Sequence, residues 1–153
     1  MIFLFACKAE ELPLSPRALL EQRAQRNDAE AMFVLGQEDC CGVGKGKNEE
    51  RAIAWFCQAA RQEHAGAQFV LGRMYQEGGL PLVAQSIYRP VRVHKDNSVA
   101  YAWYKTAAEH GHKLAATSLA LLKRAMNNTQ MDQGETLALD PRTIPCQYQG
   151  QTL

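Results

Sequence analysis

At 153 residues, 46% of them hydrophobic, the chain is long enough for one domain with its own core. Its 17 basic and 16 acidic residues nearly cancel, which argues against non-specific nucleic-acid binding, a function that needs a strongly basic surface. The five cysteines, Cys7, Cys40, Cys41, Cys57 and Cys146, contain no C-x-x-C and no paired framework; the expectation is reduced thiols in a cytoplasmic protein, not a zinc knuckle or a thioredoxin-like motif.

The chain opens on the apolar run MIFLFAC, residues 1–7. Leu4-Phe5-Ala6-Cys7 has a faint likeness to a lipoprotein cleavage box. However, no basic residue precedes it, and the apolar stretch is shorter than the roughly 7–15 residues a signal peptide uses. The run is expected to pack on the first helices as an apolar lid. If the start is truncated, a periplasmic protein or a lipoprotein is the alternative. No other run approaches the roughly 20 apolar residues of a membrane span.

Ser15-Pro16 reads as a helix start, with Ser as the cap and Pro at the first helical position. Leu19-Leu20 to Ala24 then belongs to the helix of an incomplete unit. Asp28 caps the next helix, which carries Ala31-Met-Phe-Val-Leu-Gly36. The stretch CCGVGKGKN, residues 40–48, follows. A phosphate-binding loop needs G-x-x-x-x-G-K-[ST] between a strand and a helix, and a dinucleotide fingerprint needs G-x-G-x-x-G. Here Gly42, Gly44 and Gly46 alternate, and Lys45 and Lys47 are followed by Gly and Asn. The segment therefore reads as the turn between two helices, with a small anion- or nucleotide-binding enzyme built on Gly42–Lys47 as the alternative. Asn48 caps the second helix, about 48–62, and Glu49 and Glu50 suit its N-terminus.

These elements recur. Ala67-Gln-Phe-Val-Leu-Gly72 repeats residues 31–36 at an offset of 36, as Gly78 repeats Gly42. Ala100-Tyr-Ala-Trp-Tyr104 repeats Ala52-Ile-Ala-Trp-Phe56 at an offset of 48. The second unit therefore carries about twelve extra residues before its cap, Asp96. Ala67, Val70, Leu71, Met74 and Tyr75 fall on one face of a helix over 65–77, ended by Gly78-Gly79 in a left-handed turn. Ala52, Trp55, Phe56, Ala59 and Ala60 form the buried stripe of its partner type, small residues letting helices approach and aromatics filling the gap. Lys113 to Met126 reads as a third helix of the first type. Thr129 is expected to cap a last helix to about Leu139. From Asp140 onward Pro141, Pro145 and Gly150 give an irregular tail.

On these residues the chain resembles the Sel1-like repeat family, relatives of the tetratricopeptide repeat. The pattern is roughly A-x-x-x-L-G-x-x-Y-x-x-G-x-G, a polar cap, then A-x-x-W-[FY]-x-x-A-A-x-x-G. The first unit supplies Ala31, Leu35, Gly36, Gly42, Gly44, Asn48, Ala52, Trp55, Phe56, Ala59 and Ala60. The second supplies Ala67, Leu71, Gly72, Tyr75, Gly78, Asp96, Ala100, Trp103, Tyr104, Ala107, Ala108 and Gly111. Asp39 stands where tyrosine is expected and Glu63 where glycine is expected. A spacing of 36 favours this type over the 34-residue tetratricopeptide period. The resemblance implies an all-α solenoid of about two and a half helical hairpins with short capping helices. Its parts are an N-terminal segment and capping helix (1–28), repeat 1 (29–64), repeat 2 (65–112) with an inserted loop at 79–95, a partial third repeat and capping helix (113–139), and the tail (140–153). It further implies an adaptor between proteins, in a family with many bacterial members. Members that pair cysteines within each repeat are not matched in that respect.

Candidate functional residues follow from stacking the units. Opposite Ala67, Leu71 and Tyr75 lie Phe69, Arg73 and Gln76; their equivalents are Phe33, Gln37 and Cys40, then Thr117, Leu121 and Arg124. Stacked solenoids bind through such concave surfaces, and aromatics with arginine are typical anchors; the other reading is that Phe33 and Phe69 pack between neighbouring units. The inserted loop adds Tyr88, Arg89 and Arg92, with His94 and Lys95, fitted to an acidic partner or a second copy of the chain. The histidines are read as surface residues, lacking the converging ligands of a metal site, and no cysteine is placed beside a base. The chain is thus expected to have no catalytic, cofactor or metal residues. Phe33, Gln37, Phe69, Arg73, Gln76, Tyr88, Arg89 and Arg92 are expected to contact a protein or peptide. Self-association, as a homodimer or a larger structural assembly, is a further alternative.

Overall fold

The computed structural model describes residues 13–41, 48–79 and 93–147. They form α1 (Pro16–Gln25), α2 (Ala29–Cys41), α3 (Glu49–Arg61), α4 (Ala65–Glu77), α5 (Asn97–Glu109), α6 (Ala115–Lys123) and α7 (Asn128–Ala138), with no strand among the described residues. α2 pairs with α3 and α4 with α5 as antiparallel hairpins, α3 packs on α4, and α6 and α7 both close on α5. The fold is an all-α repeat solenoid.

The caps explain where the helices begin. Ser15 Oγ accepts the Ala18 N–H, Asp28 Oδ1 accepts that of Ala31, Asn48 Oδ1 that of Arg51, and Asp96 Oδ1 those of Ser98 and Val99. The last helix starts two residues earlier than its sequence suggests: Asn127, not Thr129, caps α7, in a reciprocal box with Gln130. The helices also end alike. Asn27, Glu63 and Gly111 occupy equivalent positions, and all three have φ between 62° and 86°. Glu63 therefore holds a left-handed conformation that suits the glycine of the repeat pattern.

Two signature features of the repeat are one contact. A Cβ on Gly36 would sit 2.7 Å from the Phe56 ring, and one on Gly72 would sit 2.6 Å from the Tyr104 ring. The glycine of each first helix is the seat for the aromatic of the second. Around these seats Leu35, Phe56, Leu71, Met74, Trp103 and Tyr104 are buried. α5 is buried from Ser98 through Tyr104 because α4, α6, α7 and the C-terminal segment surround it. Tyr101 and Lys105 both bind Glu135, tying α5 to α7.

The insertion leaves the hairpin intact. In repeat 1 the Asn48 N–H donates to the Asp39 carbonyl at 3.0 Å; in repeat 2 the equivalent Asp96 N–H donates to the Tyr75 carbonyl at 3.0 Å. The Val93 N–H also donates to the Gly78 carbonyl at 3.3 Å, so the two ends of the extra segment lie side by side.

Asp39, the residue in place of tyrosine, has a fully buried side chain. Arg51 of α3 grips it with two bonds of 2.6 and 2.7 Å, and Arg17 of α1 adds a third at 3.2 Å. Burial alone would raise its pKa, but the hydrogen bonds from Arg51 and Arg17 hold it below the ordinary carboxylate value.

Candidate functional site

The proposed interaction residues divide by what they touch. Phe33 is half-buried: its ring stacks on His64 with centroids 4.5 Å apart and tilts against Phe56 at 5.8 Å. Phe69 repeats this with His112 at 4.1 Å and Tyr104 at 5.6 Å. Each phenylalanine thus fills the seam between its own first helix and the residue that leads into the next one. Gln76 accepts a hydrogen bond from the Tyr104 hydroxyl at 2.6 Å, and Arg73 is paired with Glu77 at 2.8 Å. Gln37 is exposed. Tyr88, Arg89 and Arg92 of the loop lie outside the described residues, as does the Gly42–Lys47 segment.

The reading of the histidines as surface residues holds for His94 and His110 and needs correction at the other two. His64 and His112 are half-buried parts of the seam. His64 is the N-cap of α4: its Nδ1 accepts the Ala67 N–H at 3.1 Å, and its Nε2 meets Glu30 at 2.9 Å. His112 stands at the equivalent place before α6, but its Nδ1 is buried without a hydrogen-bond partner among the described residues. Burial, then the nearby His64, lowers its pKa. His110, more exposed, meets the Gln68 side-chain oxygen at 2.8 Å, and Gln68 in turn donates to the Ala60 carbonyl. The signal available in the sequence was the 48-residue offset that aligns His64 with His112 behind the aligned phenylalanines.

The cysteines and the tail also depart from expectation. Cys57 on α3 and Cys146 form a disulfide, with Cα atoms 5.8 Å apart, across 89 residues of sequence. Cys57 and Cys146 are therefore not the reduced, unpaired thiols expected, and residues 144–147 are not loose. Ile144 and Cys146 are buried, and the intervening Pro145 and the following Gln147 are exposed. That two-residue alternation is the pattern of an extended segment lying on a surface. Trp103 Nε1 donates to the Pro145 carbonyl at 3.1 Å, and the Tyr75 hydroxyl receives the Gln147 N–H at 3.4 Å. The sulfurs of Cys40 and Cys41 also lie together, but these residues are sequence neighbours with Cα atoms 3.8 Å apart, so adjacency in the chain sets that contact. The segment was missed because Pro141 and Pro145 read as helix-breaking punctuation, while the alternating Ile144 and Cys146 were too short a run to read as structure.

Among the described residues no helix is long and apolar enough to cross a membrane.

The Sel1 repeat model matches residues 29–64, 65–87 and 91–112, more than half of the chain. No curated protein matches the sequence closely. Among solved structures, the chain is similar to a protective antigen present in uropathogenic Escherichia coli strains, a protein displaying an SLR fold. The TM-score is 0.65 at 28% identity, over 80% of this chain and 24% of the antigen, so the chain spans about a quarter of that protein's length. It is also similar to a Sel1 repeat protein from Oxalobacter formigenes, with a TM-score of 0.54 at 25% identity, over 76% of this chain and 95% of that protein. The chain belongs to the Sel1 repeat family.

Proposed function

We propose that the chain is a non-enzymatic adaptor that docks a partner protein or peptide on the face of its first-type helices, α2, α4 and α6. Sel1 repeat proteins are in general scaffolds for protein–protein interaction. The observation that carries the finer reading is a row of equivalent side chains. Gln37, Arg73 and Leu121 occupy one position in successive units, and all three reach solvent. The phenylalanine–histidine seams beside them fix the spacing of the row without being available for contact over their whole surface. Phe33 and Phe69 therefore contribute rims and rigidity, while Gln37, Arg73 and Gln76 offer the polar contacts. Tyr88, Arg89 and Arg92 extend the same reading into the loop, with an acidic partner the best match to its charge.

The test is affinity capture with wild type beside a Gln37→Ala, Arg73→Ala, Arg89→Ala, Arg92→Ala variant of unchanged helicity. A protein held by wild type and lost by the variant supports the reading; equal capture by both removes it. One observation favours a second reading, stacking of copies end to end: Leu114 and Leu121, at α6, are 61% and 56% exposed. Light scattering over a concentration series distinguishes this, since stacking requires mass to rise with concentration.

A further inference from the structure

The geometry points to a peptide-binding groove where α3, α4 and α5 meet, occupied by the chain's own residues 144–147 and locked by the Cys57–Cys146 disulfide. This surface is separate from the row Gln37, Arg73 and Leu121.

Four successive residues make four different attachments there. Ile144 is buried to 1% exposure, the Pro145 carbonyl accepts from Trp103 Nε1, Cys146 is bonded to Cys57, and the Gln147 N–H donates to the Tyr75 hydroxyl. Three of these are contacts any extended peptide could make: one aliphatic side chain in a seat, one backbone carbonyl and one backbone N–H. Only the disulfide is particular to this chain. The groove is built from three helices, Cys57 on α3, Tyr75 on α4 and Trp103 on α5, and so exists only when the two hairpins are stacked. Trp103 is fully buried beneath the strap, and when the strap leaves its Nε1–H loses the Pro145 carbonyl as acceptor and meets water instead. An extended peptide restores that acceptor. The occupant in the open state is therefore a partner segment with the strap's own pattern: a large aliphatic residue, then proline, then a small residue.

The latch is reachable. An open pocket of about 380 Å³ is lined by Glu50, Ile53, Cys57, Arg61, Cys146 and Gln147, so both residues of the disulfide border it. A dithiol reductant opens the latch in two steps. One thiolate attacks a sulfur of the pair, breaking the S–S bond and forming a mixed disulfide. The second thiol of the reductant then displaces it, leaving Cys57 and Cys146 as thiols and the reductant as its disulfide. Two electrons and two protons pass to the protein. Reducing surroundings open the groove and oxidising surroundings close it.

The experiment uses the full chain in three forms: oxidised, reduced with excess dithiothreitol, and Cys57→Ser, Cys146→Ser. Amide hydrogen exchange is read at Ile144 and Gln147 and, as a control, through α5. A synthetic peptide of residues 140–147 carrying Cys146→Ser is then titrated against each form, beside the same peptide with Ile144→Asp. The expected result is at least tenfold faster exchange at Ile144 and Gln147 on reduction, with α5 unchanged. The peptide should bind the reduced chain and the double variant at least tenfold more tightly than the oxidised chain, and the Ile144→Asp peptide should bind none of them. Unchanged exchange on reduction overturns the latch. An open strap that leaves peptide affinity unchanged overturns the groove. Loss of α5 protection on reduction makes the disulfide a staple of the whole fold and overturns both. A dimer formed on reduction with the strap still protected assigns the open groove to a second copy and overturns the partner peptide.

Discussion

The imidazole of His112 lies over the ring of Phe69, with centroids 4.1 Å apart and 17° between the planes. Burial, followed by the proximity of His64, keeps its pKa below the ordinary histidine value. The unfolded chain therefore binds this proton more readily than the folded one. The stabilisation is complete above the unfolded pKa of about 6.5 and is lost as pH falls from there through the folded pKa. We expect the melting temperature to decline between about pH 7 and pH 5 and His112→Gln to flatten that decline. A slope left intact by the substitution would place its source elsewhere.

Gly72 and Tyr104 test whether the glycine–aromatic seat holds each hairpin. Gly72→Ala puts a methyl where the Tyr104 ring already is, at 2.6 Å. The intrinsic gain of alanine over glycine in a helix, about 1 kcal/mol, opposes this. Overpacking of a closed core typically costs about 1–3 kcal/mol, so we expect net destabilisation of about 1 kcal/mol by chemical denaturation. Tyr104→Leu should remove the clash, so that the double variant is more stable than the sum of the two single effects implies. Strict additivity would mean that the ring does not need the seat.

Much of this architecture is legible in the sequence because repetition supplies its own alignment. The offsets 36 and 48 place Gly36 with Gly72, Trp55 with Trp103 and His64 with His112 before any helix is seen. Local chemistry names most caps, Ser15, Asp28, Asn48 and Asp96, since each acts on the N–H groups two or three residues ahead. What repetition cannot reach is anything that occurs once. Asp39 departs from the pattern, and its two arginines come from helices on either side, 22 and 12 residues away. The C-terminal strap has no counterpart in another unit, and its contacts with Cys57, Tyr75 and Trp103 cross 42 to 89 residues. The row of interaction residues was visible as a stripe, but its division into seam and surface required the histidine rings.

The turn after α3 offers a gain in stability. Glu63 has φ +62°, while its equivalent Gly111 has φ +86° with open space around its missing Cβ. A non-glycine residue in this conformation costs about 1 kcal/mol, and the 3.9 Å contact of Glu63 with His110 is solvent-exposed. Glu63→Gly should raise stability by up to about 0.5 kcal/mol, after the entropy glycine adds to the unfolded chain. Gly111→Ala should cost about 1 kcal/mol, through backbone conformation alone. Thermal melts of the two variants moving in the same direction would contradict this account.

Asp39 joins three helices through one carboxylate. Arg17 comes from α1, Asp39 from α2 and Arg51 from α3, so the network closes the first hairpin against the N-terminal helix. Its lowered pKa means that the stabilisation is present above the unfolded carboxylate value of about 3.9 and is lost as pH falls through the folded pKa. Removing one partner of a buried pair costs about 3–5 kcal/mol, but both arginines here are partly exposed, 35% and 47%, and return to water when the acid is lost. Asp39→Asn should therefore cost nearer about 2 kcal/mol, lowering the melting temperature by roughly 4–8 °C for a domain of this size. The same substitution should shallow the acid limb of the stability profile below about pH 4, where wild type protonates Asp39 and the variant has no proton to gain. A variant as stable as wild type at neutral pH, with an unchanged acid limb, would show that desolvating Asp39 cancels all that Arg17 and Arg51 contribute.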